Sequence, residues 1–283
     1  MQSVVVTGVS TGIGWATAKL LLTRGFRVYG SVRKPADADR LGAEFGANFV
    51  PLLFDVTDEA AVLAAARQVR AALNGETLTG LVNNAGIVVA GPLFDLGADD
   101  FRRQMEVNVI GPIMVTQAFG PLLGADASLK GPRGRIVMIG SVAGKAGNPL
   151  VSAYSTSKHA IEGLSESLRR ELMLFGIDVI VIAPGPVKTP IFDKAEEVDI
   201  TAYSQSPFFP ALQRIRSYML QLAKTGLPPE RIAEGIFTAL TSARPKVRYT
   251  ITPSPLEQIA LSILPKRLID KIIAKRLGLL PPV

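Results

Sequence analysis

The chain has 283 residues, 48% of them hydrophobic and 6% aromatic, which is enough for one large α/β domain with a sizeable core. It contains no cysteine and a single histidine, which excludes disulfides, cysteine nucleophiles, thiolate metal sites and multi-histidine metal centres. The formal net charge is +7, and segment 244–276 carries eight basic and two acidic residues, but no aromatic-interleaved basic groove accompanies them. We therefore predict neither a metal site nor a nucleic-acid partner.

The N-terminus enters an apolar strand without a basic region or a cleavage-site pattern, which predicts that there is no secretory signal. The longest uncharged run, 107–125, contains Asn108, Pro112 and Pro121, so we interpret it as a buried helix rather than a membrane span. We expect a cytoplasmic protein.

Apolar segments rich in valine and isoleucine alternate with amphipathic stretches along the chain. Strands are predicted at 3–7, 27–32, 49–54, 80–82, 135–139, 178–182 and 247–251, and helices at 13–24, 58–73, 101–123 and 152–175. Strands that are apolar on both faces and alternate with helices indicate a parallel sheet covered on both sides.

Periodicity is lost between Gly185 and Pro229, apart from a short helical stretch at 211–224. We interpret residues 186–228 as a substrate loop over the carboxyl ends of the strands, where ligand sites are usually shaped. Nothing resembles a linker, so residues 1–283 are predicted to form a single domain with a basic C-terminal tail at 244–283.

The first strand runs directly into GVSTGIG at the start of a predicted helix. Gly8, Gly12 and Gly14 are spaced for a tight turn, for close approach of the backbone to a pyrophosphate and for close helix–strand packing. Phosphates would lie at the positive N-terminal end of the helix.

Two other strands end in polar or small residues. The sequence NNAG after the fourth strand could lie against a cofactor, or could form a turn held by asparagine side chains. After the third strand, Asp55 could be structural or could accept a hydrogen bond from adenine, and Thr57 is predicted to cap the following helix.

A serine and a Tyr-x-x-x-Lys pair follow the fifth strand. Tyr154 and Lys158 are four residues apart on a predicted helix and therefore share one face. Ser141 ends the preceding strand, and because the carboxyl ends of parallel strands converge on one crevice, it can meet Tyr154 there.

In the order TGxxxGIG, NNAG, Asn108, Ser141, YxxxK and PGxVxT, these motifs resemble those of the short-chain dehydrogenases/reductases over roughly residues 3–243. The resemblance implies a doubly wound, Rossmann-type fold, a nicotinamide cofactor, a homo-dimer or homo-tetramer, and a catalytic tetrad of Asn108, Ser141, Tyr154 and Lys158. It also implies that Lys158 holds the cofactor ribose and that Asn108 anchors a water in the proton path. The residues expected to contact the cofactor are Gly8, Ser10, Gly12, Ile13, Gly14, Arg33, Asp55, Val56, Asn84, Ala85, Gly86, Tyr154, Lys158, Pro184, Gly185, Val187 and Thr189.

The tetrad residues suit hydride-transfer chemistry. A carbonyl that receives a hydride needs a proton on its oxygen, and the reverse oxidation needs that proton removed. A tyrosine with an ordinary pKa of about 10 is a weak base near neutrality. We expect the Lys158 ammonium and an oxidised nicotinamide to lower the pKa of Tyr154, while Ser141 positions the substrate oxygen.

The second strand ends at Val32, where NAD-preferring proteins carry an acidic residue that binds the ribose 2′-hydroxyl. Arg33 follows, and a guanidinium there suits a 2′-phosphate, so we predict NADP as the cofactor. Arg33 could instead face solvent, and Asp37 or Asp39 could turn inward, which would favour NAD.

The substrate loop is rich in apolar side chains, which could line a cleft for a bulky apolar alcohol or ketone, or could pack on the fold or on another subunit. They are Ile191, Phe192, Tyr203, Phe208, Phe209, Leu212, Ile215, Tyr218, Met219 and Leu220. The stretches RGFRVYGSVRKP and LPKRLIDKIIAKRLG resemble the steroid- and retinoid-type branch of the family.

The C-terminal tail contains a basic amphipathic helix. Its apolar residues, Leu268, Ile269, Ile272, Ile273 and Leu277, are predicted to share one face. That face could rest on an anionic membrane surface, or could cover the protein core or a partner subunit.

The leading hypothesis is an NADP-dependent oxidoreductase that interconverts a hydrophobic secondary alcohol and its ketone. A 3-oxoacyl thioester reductase of lipid synthesis and a non-catalytic, nucleotide-sensing protein on the same fold are the alternatives.

Overall fold

The computed structural model describes residues 1–189, 200–255, 260 and 263–281, apart from the side chains of residues 222 and 223. Its centre is a parallel sheet in the order β3-β2-β1-β4-β5-β6-β7, which confirms the predicted α/β fold and all seven predicted strands. The strands are β1 (Ser3–Val6), β2 (Arg27–Val32), β3 (Phe49–Leu53), β4 (Gly80–Asn83), β5 (Arg135–Ile139), β6 (Asp178–Pro184) and β7 (Arg248–Ile251).

Helices connect the strands and cover both faces of the sheet. They are α1 (Gly12–Thr23), α2 (Pro35–Phe45), α3 (Glu59–Ala72), α4 (Ala98–Met105), α5 (Gly111–Phe119), α6 (Ser152–Glu171), α7 (Phe209–Thr225), α8 (Pro229–Thr241) and α9 (Lys266–Leu277).

Successive strand residues point to opposite faces, and both faces are buried. In β1, Val5 packs in a cluster with residues of α3, α5 and α6, whereas Val4 and Val6 pack in a second cluster with residues of α1, α2 and α8. The apolar strands therefore reflect two layers of helices, one on each face.

The strand order reverses between β1 and β4, which makes the sheet doubly wound. Chain segments leave this point in opposite directions, so a crevice opens beyond the carboxyl ends of β1 and β4. The glycine turn after β1 and the NNAG segment after β4 both lie at this crevice.

The predicted helix 101–123 is divided in the structure. It begins earlier, as α4, passes through a π-helical turn at Glu106–Ile110, and continues as α5 and a 3₁₀ turn at Gly120–Leu123. Asn108 lies in the π turn, and such turns frequently occur at functional sites.

Two helices, α2 and α8, were not predicted. Leu41 is the buried residue of α2, so this helix has little apolar periodicity to reveal it. Helix α8 did carry a signal: a proline at its first turn and buried residues at Ile232, Ile236 and Leu240.

The substrate loop packs on the fold through a small third core cluster. Leu212 and Ala211 of α7 are buried with Leu150, and Tyr203, Phe208, Ile215 and Leu279 pack around them. Of the alternatives for the apolar residues of the loop, packing on the fold therefore applies to Tyr203, Phe208, Leu212 and Ile215. Ile191 and Phe192 lie outside the described residues. Ser206 also donates a hydrogen bond to Asp95, 2.5 Å away, which ties the loop to the segment before α4.

Among the helices that the model describes, none is both long enough and apolar enough to cross a membrane.

Candidate active site

The glycine turn has the geometry that the sequence predicted. Gly8 and Gly12 have φ angles of 70° and 62°, in the left-handed region that favours glycine. At Gly14, a Cβ atom would lie 2.2 Å from the Gly8 carbonyl oxygen, so only glycine allows α1 to pack this closely against the turn.

The N-terminus of α1 suits a pyrophosphate group. Thr11 at the N-cap position makes no side-chain capping bond, and the first turn of the helix contains no acidic residue. The N–H groups of the first turn and the helix dipole therefore favour an anion here. Ser10 and Ile13 belong to the same turn and are partly exposed, so the residues present fit a dinucleotide cofactor.

Asn84 holds the glycine turn in place. Its Nδ2 donates to the carbonyl oxygens of Thr7 and Gly8, at 2.8 Å and 3.1 Å. Thr7 Oγ1 accepts hydrogen bonds from the backbone N–H groups of Asn84 and Ala85, both at 2.9 Å. Of the two alternatives for the NNAG segment, a turn held by an asparagine side chain is therefore present. Sequence reasoning assigned no role to Thr7, although it begins the TGxxxGIG motif.

Asp55 is structural in this arrangement. Its Oδ1 accepts hydrogen bonds from the Thr57 backbone N–H at 3.0 Å and from the Thr57 hydroxyl at 2.9 Å. The prediction that Thr57 caps α3 was wrong: Asp58 is the N-cap residue, and it accepts a hydrogen bond from Ala61 N–H at 3.0 Å. Because the Thr57 hydroxyl donates to Asp55, the N-cap position of α3 is taken by the next residue, Asp58.

Val56 is buried beneath α5, where a Cβ atom at Gly111 would lie 2.7 Å from its Cγ2. Its side chain therefore packs in the core, and a contact with a cofactor would have to come from its backbone.

Arg33 is placed to contact a ligand at the end of β2. Its side chain is 65% exposed, and Nη1 lies 3.7 Å from Asp55 Oδ2. An exposed pair this long contributes little to stability, so the guanidinium can turn to an incoming anion at small cost.

Ser141, at the end of β5, presents a directed hydroxyl group. Its Oγ caps a 3₁₀ turn by accepting a hydrogen bond from Ala143 N–H at 3.1 Å, which leaves the hydroxyl proton to be donated. The Ser141 hydroxyl also hydrogen-bonds to the Tyr154 phenol, and this interaction lowers the pKa of Tyr154.

Burial has the larger and opposite effect on Tyr154. Desolvation raises the pKa of the phenol above 10.0. The prediction that Lys158 lowers the pKa of Tyr154 was wrong as far as the protein's own residues are concerned. Removal of the phenol from water raises the pKa by more than the hydrogen bond from Ser141 lowers it. A neutral phenol is a proton donor, which suits carbonyl reduction.

Lys158 lies one helical turn after Tyr154 on α6. Its Nζ is 5.8 Å from the centroid of the Tyr154 ring and donates a hydrogen bond to the Ile139 carbonyl oxygen at 2.7 Å. The residue is only 8% exposed, and desolvation lowers its pKa from 10.5 to about 8. The ammonium is therefore largely charged at pH 7 and close to titration.

Asn108 is anchored by its own side chain. Both N–H donors of its amide are engaged, by the Ile87 carbonyl oxygen at 3.0 Å and by Ser157 Oγ at 3.2 Å, and Oδ1 accepts from Ile87 N–H at 2.8 Å. The side chain thus joins the π turn to the loop after β4 and to α6. Because both N–H donors are engaged, the expected role of anchoring a water would require the second acceptor site of Oδ1 or the backbone carbonyl group of Asn108.

An ion pair between α6 and β7 lies beside the 3₁₀ turn that Ser141 caps. Arg248 Nε of β7 donates to both carboxylate oxygens of Glu162, at 3.0 Å and 3.2 Å, and the Glu162 side chain is 9% exposed. Glu162 lies one helical turn beyond Lys158, so α6 is tied to β7 beside the catalytic candidates. Sequence analysis missed this pair because its partners are 86 residues apart.

The PGxVxT segment leaves β6 at the same edge of the sheet. Pro184 ends the strand, Gly185 N–H donates to the Ile251 carbonyl oxygen at 2.8 Å, and Val187 is buried and forms a bridge with Leu227. Thr189 is partly buried at the last described position before residue 200.

This fold, with a glycine turn at the switch point and a Ser-Tyr-Lys group beyond β5, defines a nicotinamide-dependent oxidoreductase. The short-chain dehydrogenase family model matches residues 2–199, and the chain belongs to the short-chain dehydrogenase/reductase family.

Relatives with assigned activities cover most of the chain. A protein of Ornithobacterium rhinotracheale named NADPH-dependent 3-dehydrocapnine reductase is 37% identical over 278 residues, 98% of both chains. Human retinol dehydrogenase 5 is 32% identical and covers 95% of this chain and 87% of its own. Human 17-beta-hydroxysteroid dehydrogenase type 1 is 35% identical and covers 88% of this chain and 77% of its own.

Solved structures agree on the fold. A short-chain dehydrogenase from Streptomyces avermitilis superimposes with a TM-score of 0.75 at 25% identity, covering 97% of this chain and 94% of its own. A short-chain dehydrogenase/reductase from Burkholderia phymatum in complex with NAD gives a TM-score of 0.77 at 24% identity, covering 93% and 96%.

Proposed function

We propose that this protein is an NADP-dependent oxidoreductase that interconverts a lipophilic secondary alcohol and its ketone, with Asn108, Ser141, Tyr154 and Lys158 as its catalytic group. The observation that carries the proposal is that Ser141 hydrogen-bonds to Tyr154 and that Lys158 Nζ lies 5.8 Å from the centroid of the Tyr154 ring, beyond β5 and at the same edge of the sheet as the glycine turn. A bound nicotinamide supplies the hydride in reduction and accepts it in oxidation.

In the direction of reduction, the substrate carbonyl oxygen accepts hydrogen bonds from the Ser141 hydroxyl and from the Tyr154 phenol. Tyr154 then gives its proton to that oxygen, and the resulting phenolate is stabilised by the nearby Lys158 ammonium. Lys158 would also hold the cofactor ribose through the N–H groups that its bond to Ile139 leaves free. Asn108 positions the loop after β4 against α6, and thereby fixes the distance between the cofactor crevice and Tyr154.

The preference for NADP rests on Arg33 at the end of β2 and on Val32 where an acidic residue would select NAD. The NADPH dependence stated in the name of the Ornithobacterium relative supports this assignment. NAD is the alternative that Asp37 or Asp39 would favour by turning inward, and in this structure Asp37 pairs with Arg40 instead.

Replacing Arg33 with alanine is expected to raise KM for NADPH about 10- to 100-fold and to leave KM for NADH within about threefold. A hydrogen bond to a charged group is worth about 1.5–3 kcal/mol, and this bond would be made to the 2′-phosphate alone. Steady-state kinetics with both cofactors measure the change.

The matched control is Arg67→Ala, which removes the same charge from an exposed position on α3. Equal effects of Arg33→Ala on NADPH and NADH, or a wild-type preference for NADH, would contradict the assignment of NADP.

The proposed substrate class rests on the relatives named for retinol and hydroxysteroids, which are lipophilic alcohols. A 3-oxoacyl thioester reductase and a nucleotide-sensing protein remain the alternatives. Oxidation of NADPH by purified protein should be followed with a panel of steroid, retinoid, long-chain ketone and 3-oxoacyl thioester substrates. Turnover of thioesters alone, or NADPH binding without any turnover, would refute the proposal.

We also propose a single domain over residues 1–283, a cytoplasmic location, and a homo-dimer or homo-tetramer. The end of α6 supports self-association, because Met173 and Leu174 are large apolar residues with most of their surface exposed.

A further inference from the structure

The C-terminal helix α9 carries two apolar lines, not the single face that the sequence predicted. Leu277 is buried, and Ile269 and Ile273 are half-buried. Leu268 and Ile272, by contrast, are 45% and 54% exposed. The two lines lie on different sides of the helix: the inner line packs on the protein, and the outer line faces solvent.

The inner line fixes α9 to the substrate loop. Leu277 packs inward, its carbonyl oxygen accepts a hydrogen bond from Arg214 Nη1 at 2.9 Å, and the Arg276 guanidinium lies 4.5 Å from the centroid of the Tyr218 ring. Arg214 and Tyr218 belong to α7, so α9 is anchored to that helix. Leu279, just beyond α9, joins the third core cluster of the substrate loop.

Exposed apolar residues also precede α9. Ile263 and Leu264 are 76% and 38% exposed, and Pro265, the N-cap residue with a non-helical ψ of 131°, separates them from the helix. Within α9, Leu268 and Ile272 are four residues apart and form one short strip. Exposed apolar residues in a continuous strip indicate a contact surface.

Cations flank this strip, and the acid of the helix is on the other side. Lys271 and Lys275 lie three residues after Leu268 and Ile272, respectively, and both are exposed. At 100° per residue, Asp270 is rotated about 200° from Leu268, which places it on the opposite side of the helix. The outer surface thus combines apolar and positive groups.

We propose that the outer face of α9, made of Leu268, Ile272, Lys271 and Lys275, docks on an anionic lipid surface. The apolar strip would enter the boundary between headgroups and acyl chains, while the lysines reach the lipid phosphates. A second copy of the chain fits this face poorly, since a two-fold contact would bring Lys271 and Lys275 towards the same residues of the partner. Docking does not depend on which substrate the protein uses.

Docking through α9 would bring the substrate loop close to the lipid. The inner side of α9 contacts α7, and the cluster that α7 shares with Leu279 includes Leu150, four residues before Tyr154. A lipophilic substrate would then pass from the bilayer to the substrate loop with little exposure to water. This consequence, unlike docking itself, rests on the proposed function.

Co-sedimentation of the full-length protein with vesicles tests the proposal. Vesicles of phosphatidylcholine with 30% phosphatidylserine are compared with vesicles of phosphatidylcholine alone, at low and high salt. We expect binding to the anionic vesicles that falls steeply with salt, and at least tenfold weaker binding to the neutral ones. Lys271→Glu with Lys275→Glu, and separately Leu268→Ser with Ile272→Ser, should each reduce the partition coefficient about tenfold or more.

Matched variants on another exposed surface control for general effects of charge and hydrophobicity. Lys19→Glu with Lys130→Glu, and Leu53→Ser with Leu63→Ser at exposed positions, should leave partitioning within about twofold. Circular dichroism and NADPH oxidation in detergent-free buffer confirm that each variant is folded. Equal losses in the control variants, binding that ignores lipid charge, or α9 variants that change sedimentation velocity without changing vesicle binding would overturn the proposal, the last in favour of a contact between copies.

Discussion

Tyr154→Phe is expected to reduce kcat for carbonyl reduction by roughly 10²–10⁴-fold, the range that general acid catalysis contributes. The ring remains, so packing around it is kept, but the group that protonates the substrate oxygen is lost. Because a phenol is neutral near pH 7 and burial raises the pKa of Tyr154 further, the variant loses a proton donor rather than a charge. Its dissociation constant for NADPH should stay within about threefold, which fluorescence titration measures beside the turnover assay.

Tyr249→Phe is the matched control. The Tyr249 hydroxyl accepts a hydrogen bond from Lys246 N–H at 3.0 Å, in the segment that leads into β7 and away from the glycine turn. This variant should keep nearly full turnover. Substantial turnover by Tyr154→Phe, at more than about a tenth of the wild-type rate, would remove Tyr154 from its proposed role.

Lys158→Met is expected to lower kcat/KM by roughly 10²–10⁴-fold while leaving the protein as stable as wild type, or up to about 2 kcal/mol more stable, at pH 7. The lowered pKa of Lys158, from 10.5 to about 8, means that burying its charge costs about 3 kcal/mol. Methionine avoids that cost but leaves the Ile139 carbonyl oxygen without its donor, which costs about 1–3 kcal/mol. Urea denaturation measures the difference in the free energy of unfolding.

The pH dependence of this difference has a definite sign. Below pH 8 the lysine is protonated in both the folded and the unfolded protein, so wild type carries the full cost of the buried charge. Between pH 8 and 10.5 the folded protein loses the proton first, and the unfolded state binds more protons. The stability of wild type relative to Lys158→Met should therefore rise with pH in this window.

Lys130→Met, at an exposed position, should show neither the loss of activity nor this pH dependence. A Lys158→Met variant that is destabilised by more than about 2 kcal/mol at pH 7 would show that the ammonium group contributes to folding more than its burial costs.

The strands and the glycine turn could be predicted because their causes are local. A parallel strand with helices on both faces is apolar at consecutive positions, and β1, β5 and β6 show this in the residues that follow their polar first residues, Ser3, Arg135 and Asp178. The positive φ angles of Gly8 and Gly12 are likewise a requirement of one short turn. By contrast, the division of the helix at Asn108 could not be predicted, because it depends on hydrogen bonds to distant residues, Ile87 and Ser157.

The sequence by itself determined the class of fold, the family and the identity of the candidate tetrad, because short apolar runs, a glycine spacing and a four-residue pair are properties of short segments. Only the tertiary structure decided the directions in which the pKa values of Tyr154 and Lys158 shift, the ion pair between Glu162 and Arg248, and the division of α9 into inner and outer lines. Each of these depends on how far a group is removed from water and on which distant segment lies beside it. Neither quantity is encoded within a few residues of the group concerned.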